Sequence, residues 1–237
     1  MIWLLGCFSQ EPVLVTLSGV ITESSEADAV GASEVLVETL GPTYEPVDEG
    51  TTDGRGFFEA EVIANTAMYV TFSGEGFDET SFTGFVGSED FSVDDGVLYM
   101  RSSDEVDALH TAMLGCPYAG AEDVAVVEGE VRFHLPGYEV DDGDWPLAAT
   151  AYTSVTDSDG VEYEPCYFDA AGLLYDSEAE VTGDAGRFAV FGDFSGPITL
   201  GVGYEVEGEP YFATSYQLHV SEGGIAPVYP AYVPLPQ

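Results

Sequence analysis

The sequence predicts an all-β fold: two antiparallel β-sandwiches in tandem, joined by a short linker that carries a helix. Three observations carry this expectation. The chain of 237 residues holds 14 Tyr, 14 Phe, 28 Gly and 13 Pro, and apolar, aromatic runs broken by Gly and Pro read as strands and turns. Short apolar runs recur between turn signals at roughly the 8–12-residue spacing of a sandwich. The chain also repeats itself. Leu17-Ser18-Gly19-Val20-Ile21 leads to Thr52-Asp53-Gly54-Arg55-Gly56-Phe57-Phe58, and Val127-Glu128-Gly129-Glu130-Val131 leads to Thr182-Gly183-Asp184-Ala185-Gly186-Arg187-Phe188. An internal repeat of this kind fixes the architecture before any residue is given a role.

The first module is expected over 12–101. Its strands fall at 13–21, 33–39, 57–63, 67–73, 81–86 and 97–100. The stretch 41–51 carries Gly41, Pro42, Pro46 and Gly50 and reads as a long, turn-rich connection. A linker follows over 102–123. Within it Ser103 or Asp104 is placed to cap a helix, and Val106, Leu109, His110, Met113 and Leu114 fall on one helical face. The second module is expected over 124–237, with strands at 124–133, 147–155, 178–182, 187–191, 198–204, 211–220 and 228–233. Residues 67–72 of the first copy align with 197–202 of the second. From opening Gly to turn Thr the interval is 33 residues in copy one and 53 in copy two. The added length lies around 156–178 and holds Asp157-Ser158-Asp159-Gly160 and Cys166. An insertion confined to one copy is where a special role would sit.

Both copies resemble the carboxypeptidase regulatory-like domains, small Greek-key, transthyretin-like sandwiches of secreted bacterial proteins. The resemblance rests on the Val-x-Gly-x-Val-type opening strand at 17–21 and 127–131. It also rests on the Thr-Asp-x-x-Gly-x-Phe turn of Thr52, Asp53, Gly56 and Phe58, followed by Met68-Tyr69-Val70. Copy two departs from the turn, with Gly183 at the Asp position and Asp184 one place later. The resemblance covers about 12–100 and 124–234. It implies spacer, adhesion or stability roles, and no catalysis.

Charge is extreme. Four Arg (55, 101, 132 and 187), no Lys and 44 acidic residues give a formal net charge of −40. Such a surface repels phosphate backbones, so nucleic acid is excluded as a partner. The carboxylates are spread along the whole chain, which suits solubility in a salty medium better than a dedicated cation site.

Met1-Ile2-Trp3-Leu4-Leu5-Gly6-Cys7 resembles the end of a bacterial lipoprotein signal, with Cys7 as the lipidated residue and 1–11 as a truncated signal and tether. A full signal has a basic start and an apolar core of about 7–15 residues, whereas here five residues without a cation precede Gly6. Cys116 and Cys166 then remain as an even pair. Both sit beside Pro in loop-like sequence, where a disulfide is favoured over two buried free thiols. Persistent disulfides belong outside the cytosol.

No catalytic motif stands out. His110, His134 and His219 are isolated, no His-Glu-x-x-His or Gly-x-Ser-x-Gly occurs, and without Lys there is no P-loop. The candidate metal ligands are Asp141, Asp142 and Asp144 in one acidic loop, and Asp157 and Asp159 in another. Hard oxygens beside Gly suit calcium, and no other cofactor is implied. Acidic turns in an acidic chain explain the same residues more simply. The expectation is a non-enzymatic, exported lipoprotein. It would sit at the outer membrane or cell surface, meeting the membrane through its lipid and binding a protein or glycan partner. The alternative is a carbohydrate- or calcium-dependent binding module that uses the insertion, with Trp145, Tyr163, Tyr167 and Tyr175 as an aromatic platform.

Overall fold

The computed structural model describes residues 12–24, 29–93, 98–121, 123–134, 147–148, 150–206 and 209–234. In the first half, β1 (Leu14–Thr22), β4 (Phe57–Ile63), β7 (Phe91–Ser92) and β8 (Leu98–Tyr99) form one sheet. β2 (Leu36–Leu40), β3 (Pro46–Thr51), β5 (Ala67–Gly74), β6 (Phe77–Phe85) and β9 (Arg101–Ser102) form the facing one. Alternation decides the faces: Val15, Leu17 and Ile21 on β1 and Phe58, Ala60 and Val62 on β4 point inward and meet Val70 and Phe72.

The second half repeats the plan. β10 (Ala125–His134), β14 (Arg187–Gly192) and β17 (Ile225–Pro234) correspond to β1, β4 and the β7–β8 pair, with β13 (Cys166–Tyr167) added beyond β14. β11 (Tyr152–Asp157), β12 (Glu162–Tyr163), β15 (Gly196–Val206) and β16 (Glu209–Val220) form the facing sheet. Val127, Val131, Phe188, Val190, Leu200 and Val202 fill this core.

The repeated motif is one latch built twice. Thr52 Oγ1 donates to Ala32 O (2.7 Å) and accepts from Val35 N (3.0 Å). Thr182 Oγ1 likewise donates to Ala148 O and accepts from Ala151 N (2.9 Å). Gly56 and Gly186 have φ of +78° and +65°, a conformation that favours glycine. Their carbonyls accept from Ile21 N and Val131 N at 2.9 and 2.8 Å. Gly19 lies opposite Phe58, and Gly129 opposite Phe188, so each ring covers the space a side chain would need.

Several expectations are corrected. The modules do not hold only antiparallel strands, because each copy has late strands parallel to its first: β7 and β8 to β1, and β17 to β10. Nor are the halves separate sheets. β17 pairs with β6 through Ile225 and Thr80, so a nine-stranded sheet crosses both modules. Residues 46–51 form β3, paired with β2, rather than a connection, whereas 178–182 form no strand. The excess length of copy two is split: part precedes Ala148, and the larger part lies between Ala151 and Thr182, as the equivalent hydrogen bonds require.

The linker helix α1 (Ser103–Ala112) forms, but Ser102 caps it. The Ser102 hydroxyl accepts from Glu105 N at 3.3 Å, and Glu105 Oε2 accepts from Ser102 N at 2.9 Å, a capping box. Val106 and Met113 are buried, while Leu114 is 65% exposed. The helix lies on the outer face of the second module. There Val106, Met113, Cys116, Val126, Cys166, Phe168, Phe191 and Ile225 make a third apolar cluster. β10 is therefore buried on both faces, unlike β1.

The close approach at Gly129 gives a direct test. A Cβ there would lie 2.5 Å from Val228 O and 2.8 Å from the Phe188 ring, against 3.3 Å from Phe58 at Gly19. Gly129→Ala is expected to destabilise by about 1–3 kcal/mol, the usual size of an overpacking penalty. Gly19→Ala should have a smaller effect; thermal unfolding of the two variants measures the difference.

Candidate functional site at the module junction

Where the two halves meet, one buried carboxylate gathers two of the four Arg residues. Glu128 occupies the β10 position that corresponds to Ser18 in β1, on the face opposite Val127, and is 2% exposed. Arg101 Nη2, arriving from β9 of the first half, donates to its Oε1. Arg187 Nη2 from β14 lies 3.8 Å from Oε2. The Tyr229 hydroxyl from β17 donates to Oε2 at 3.1 Å.

Each guanidinium has further supports. Arg101 reaches Glu105 at 3.9 Å and lies 5.4 Å from the Tyr99 ring centre. Arg187 Nη1 donates to Gly172 O at 2.6 Å, and its guanidinium sits 4.2 Å over the Phe168 ring. Beside the cluster, under α1, is a cavity of about 240 Å³.

Burial governs the titrating groups. It opposes the Arg101 charge, and the adjacent Glu128 more than offsets this, so the guanidinium is held above its ordinary range. Burial, then Glu128, pushes the Tyr229 phenol upward; its ring is partly exposed while its hydroxyl reaches the buried carboxylate. Burial pushes Tyr99 up to about 12, with Arg101 pulling the other way. Tyr167 is raised by burial, against hydrogen bonds with Thr153.

A second contact joins the halves. The His219 ring of β16 stacks on Tyr44 (5.7 Å) and lies 6.2 Å from Tyr69, whose hydroxyl donates to Tyr44 Oη at 3.3 Å. Burial lowers the His219 pKa, with Glu79 opposing. Ser221 Oγ donates to Glu79.

Beyond the Ile225–Thr80 pair, β6 and β17 border an open cleft of about 640 Å³, with β16 on its third side. The Glu128 cluster touches it through Tyr229.

The remaining anticipated residues fall as follows. Cys116 and Cys166 are joined, with Cα atoms 6.0 Å apart, which ties the linker to the insertion. Tyr175 N donates to Ala112 O at 2.9 Å, docking the insertion on the end of α1. Cys7, Asp141, Asp142, Asp144 and Trp145 lie outside the described residues. Asp157 closes the β11–β12 turn: its Oδ1 accepts from Asp159 N and Val161 N, both at 2.9 Å, and its Oδ2 from Tyr163 Oη at 3.2 Å. Asp159 is exposed at the tip of that turn and does not join its carboxylate to Asp157.

Among the described residues, no group of three or more His, Cys, Asp or Glu is arranged to hold a metal ion. Tyr163 and Tyr167 are core residues, 7% and 3% exposed, not an open platform. His110 Nδ1 lies 2.7 Å from Ala119 O, and its ring packs edge-on against Phe191 at 5.0 Å.

Sequence reasoning missed Glu128, Arg101, Arg187 and Tyr229. A signal existed. Val124 to Val127 is unbroken apolar sequence, which suits a strand buried on both faces, and a Glu continuing such a strand needs a cation from a set of four.

No family model matches this chain, and no curated protein is similar to it. Similar solved structures include the Bacillus anthracis TIE protein, 10% identical over 94% of this chain and 34% of that one, with a TM-score of 0.32. Another is catechol 1,2-dioxygenase from Acinetobacter sp. ADP1, 11% identical over 42% of this chain and 56% of that one, with a TM-score of 0.29. A third is GBS52, the minor pilin of Streptococcus agalactiae, 12% identical over 94% and 98%, with a TM-score of 0.28. The chain thus spans less than two thirds of the first two.

Glu128→Ala leaves two guanidiniums facing each other without their shared partner. The expected loss is about 3–5 kcal/mol, as for other broken buried pairs, read from the urea midpoint. At high pH, phenols held neutral by burial oppose unfolding only while the unfolded chain also keeps them neutral. Their folded pKa values are raised, so this stability is complete below about pH 10, the ordinary Tyr value. It is lost as pH rises through the value of about 12 for Tyr99. Phenolate absorbance should therefore show a group of tyrosines that ionise late and together with unfolding.

Proposed function

We propose that this chain is a non-catalytic, exported cell-envelope protein, lipid-anchored through Cys7. Its two carboxypeptidase regulatory-like sandwiches are held edge to edge for adhesion, scaffolding or partner binding. The Cys116–Cys166 bridge carries the reading. Both cysteines lie in the apolar cluster under α1, and structural disulfides persist in oxidising compartments while cytosolic thiols are kept reduced.

Two further features support it. The Thr–Gly–Phe latch is the same device in both copies, as the family resemblance implies. The carboxylates of Asp53, Asp157 and Asp169 accept backbone N–H groups in their own turns, which is structural work rather than acid–base chemistry.

The anchor is tested on the gene product taken from its native cells. The protein is expected in the membrane fraction with a lipid mass on Cys7, and Cys7→Ser is expected to release it. Recovery of unmodified Cys7 in soluble protein would sink the anchored form of the proposal.

A further inference from the structure

An open strand edge is a row of backbone N–H and C=O groups without partners, a template for another chain. Proteins guard such edges by keeping them short or by placing charge or proline on them. The terminal strands of the three sheets here are guarded in that way, with one exception. β7 and β8, at one end of the first sheet, and β12 and β13 are two residues each. β3 carries Pro46, Asp48 and Glu49, and β4 carries Glu59 and Glu61.

The exception is β16. Glu209 and Pro210 stand at its start, but from Tyr211 to Val220 there is no Pro, Gly, Asp, Glu, Lys or Arg. The strand pairs with β15 alone, and among the described residues no other backbone hydrogen bond engages Tyr211–Val220. In an antiparallel pair, about every second residue turns its backbone groups away from the partner. The last residues lie against neighbouring elements: Leu218 and Val220 are buried, and His219 stacks on Tyr44. The stretch Phe212–Gln217 is left open. Phe212 is 45% exposed, and Ser215 and Gln217 are exposed as well.

A row of backbone donors and acceptors selects an extended polypeptide as its occupant. The surroundings select the charge of that polypeptide. A basic partner is met by carboxylates placed to face it, and this chain has 44 acidic residues to place. None lies in Tyr211–Val220, and none lies beside it in the sheet, at Thr199–Tyr204 or Tyr152–Thr156. The groove on the outer face of these strands is lined by Ser, Thr, Gly, Ala and Phe212 alone. An edge cleared of carboxylates suits a partner that is itself acidic, because like charges directly opposite each other destabilise a strand pair. A second copy of this chain, with its net charge of −40, is such a partner. β16 can meet its own copy about a twofold axis with no charge facing a charge.

We infer that β16 is a self-association edge, pairing antiparallel with β16 of a second copy so that two four-stranded sheets become one. The inference deepens the partner-binding role proposed above and rests on it.

The test is sedimentation velocity of the full chain carrying Cys7→Ser, which leaves no thiol outside the Cys116–Cys166 bridge. A concentration-dependent dimer is expected. It should strengthen as salt rises, because salt screens the repulsion between two acidic copies. Ser215→Glu and Gln217→Glu bring like charges to the paired edge, and each should weaken the dimer about two- to tenfold. Leu173→Glu adds the same charge on the insertion and should leave it unchanged. Amide hydrogen exchange needs no edge variant: Phe212–Gln217 should gain protection as the dimer forms, while β3 and β12 should not.

A chain that stays monomeric at millimolar concentration and high salt overturns the inference. So does a dimer that salt dissolves, which would mark an ionic interface. So does a dimer that both edge variants leave intact, or one whose newly protected amides lie elsewhere. Uptake of an alternating Val-Lys octapeptide by the edge of a chain that does not dimerise overturns it too, marking a basic foreign strand as the occupant. None of these outcomes bears on the Cys7 anchor, whose own test uses membrane fractions.

Discussion

Two halves of a chain with forty excess negative charges lie edge to edge, with Asp78, Glu79 and Asp123 as well as the Glu128 cluster along their shared boundary. The Glu128 cluster is the centre of that boundary. A lone carboxylate there would be expensive to bury, and Arg101 and Arg187 flank it from opposite halves of the molecule. Around it the contact is aromatic and aliphatic, through Tyr44, Tyr69 and His219 on one side and Ile225 on the other. Exposed carboxylates separated by more than about 8–10 Å are screened from one another at ordinary salt. A buried ion cluster adds little net stability over apolar packing, but removing one of its members is costly. Arg101 ends the first half and Glu128 begins the second, so their pairing ties together the two strands that flank the β17–β6 contact.

The two copies share a plan but use their outer faces differently. In β1 the outward residues Thr16, Ser18 and Val20 stay partly exposed. In β10 the same face is covered by α1, the linker and the insertion. Covering it changes which side chains the strand tolerates. Ser18 needs no partner beyond water, whereas Glu128 at the corresponding position needs two cations and a phenol. The part of the added length that holds Cys166, Phe168 and Tyr175 therefore covers its own sheet, with β13 extending the β14 edge.

Much of the plan was legible in the chain because its signals are local. Thr52, Gly56 and Phe58 act within one turn and one strand pair, and so do Thr182, Gly186 and Phe188. The alternating burial of β4 could be read directly from 57–63. The missed strands are made by neighbours rather than by propensity. β3 contains Pro46, Asp48, Glu49 and Gly50, a turn-like composition, and holds because it pairs with β2 and because Asp48 Oδ2 accepts from Glu61 N at 2.8 Å. β7, β12 and β13 are two residues each, too short to leave a periodic trace. The junction was hidden for a different reason. Arg101 and Glu128 are brought together by the path of the linker, and Glu128 and Tyr229 by a parallel strand pairing, neither of which has a local signature.

The Cys116–Cys166 bridge makes a covalent ring of the segment between those two positions. A single peptide bond cut anywhere inside that ring opens a loop without parting the molecule. The front half and the back half would still travel as one piece. A cut just after Cys116, between the helix and the second module, therefore leaves the halves covalently joined.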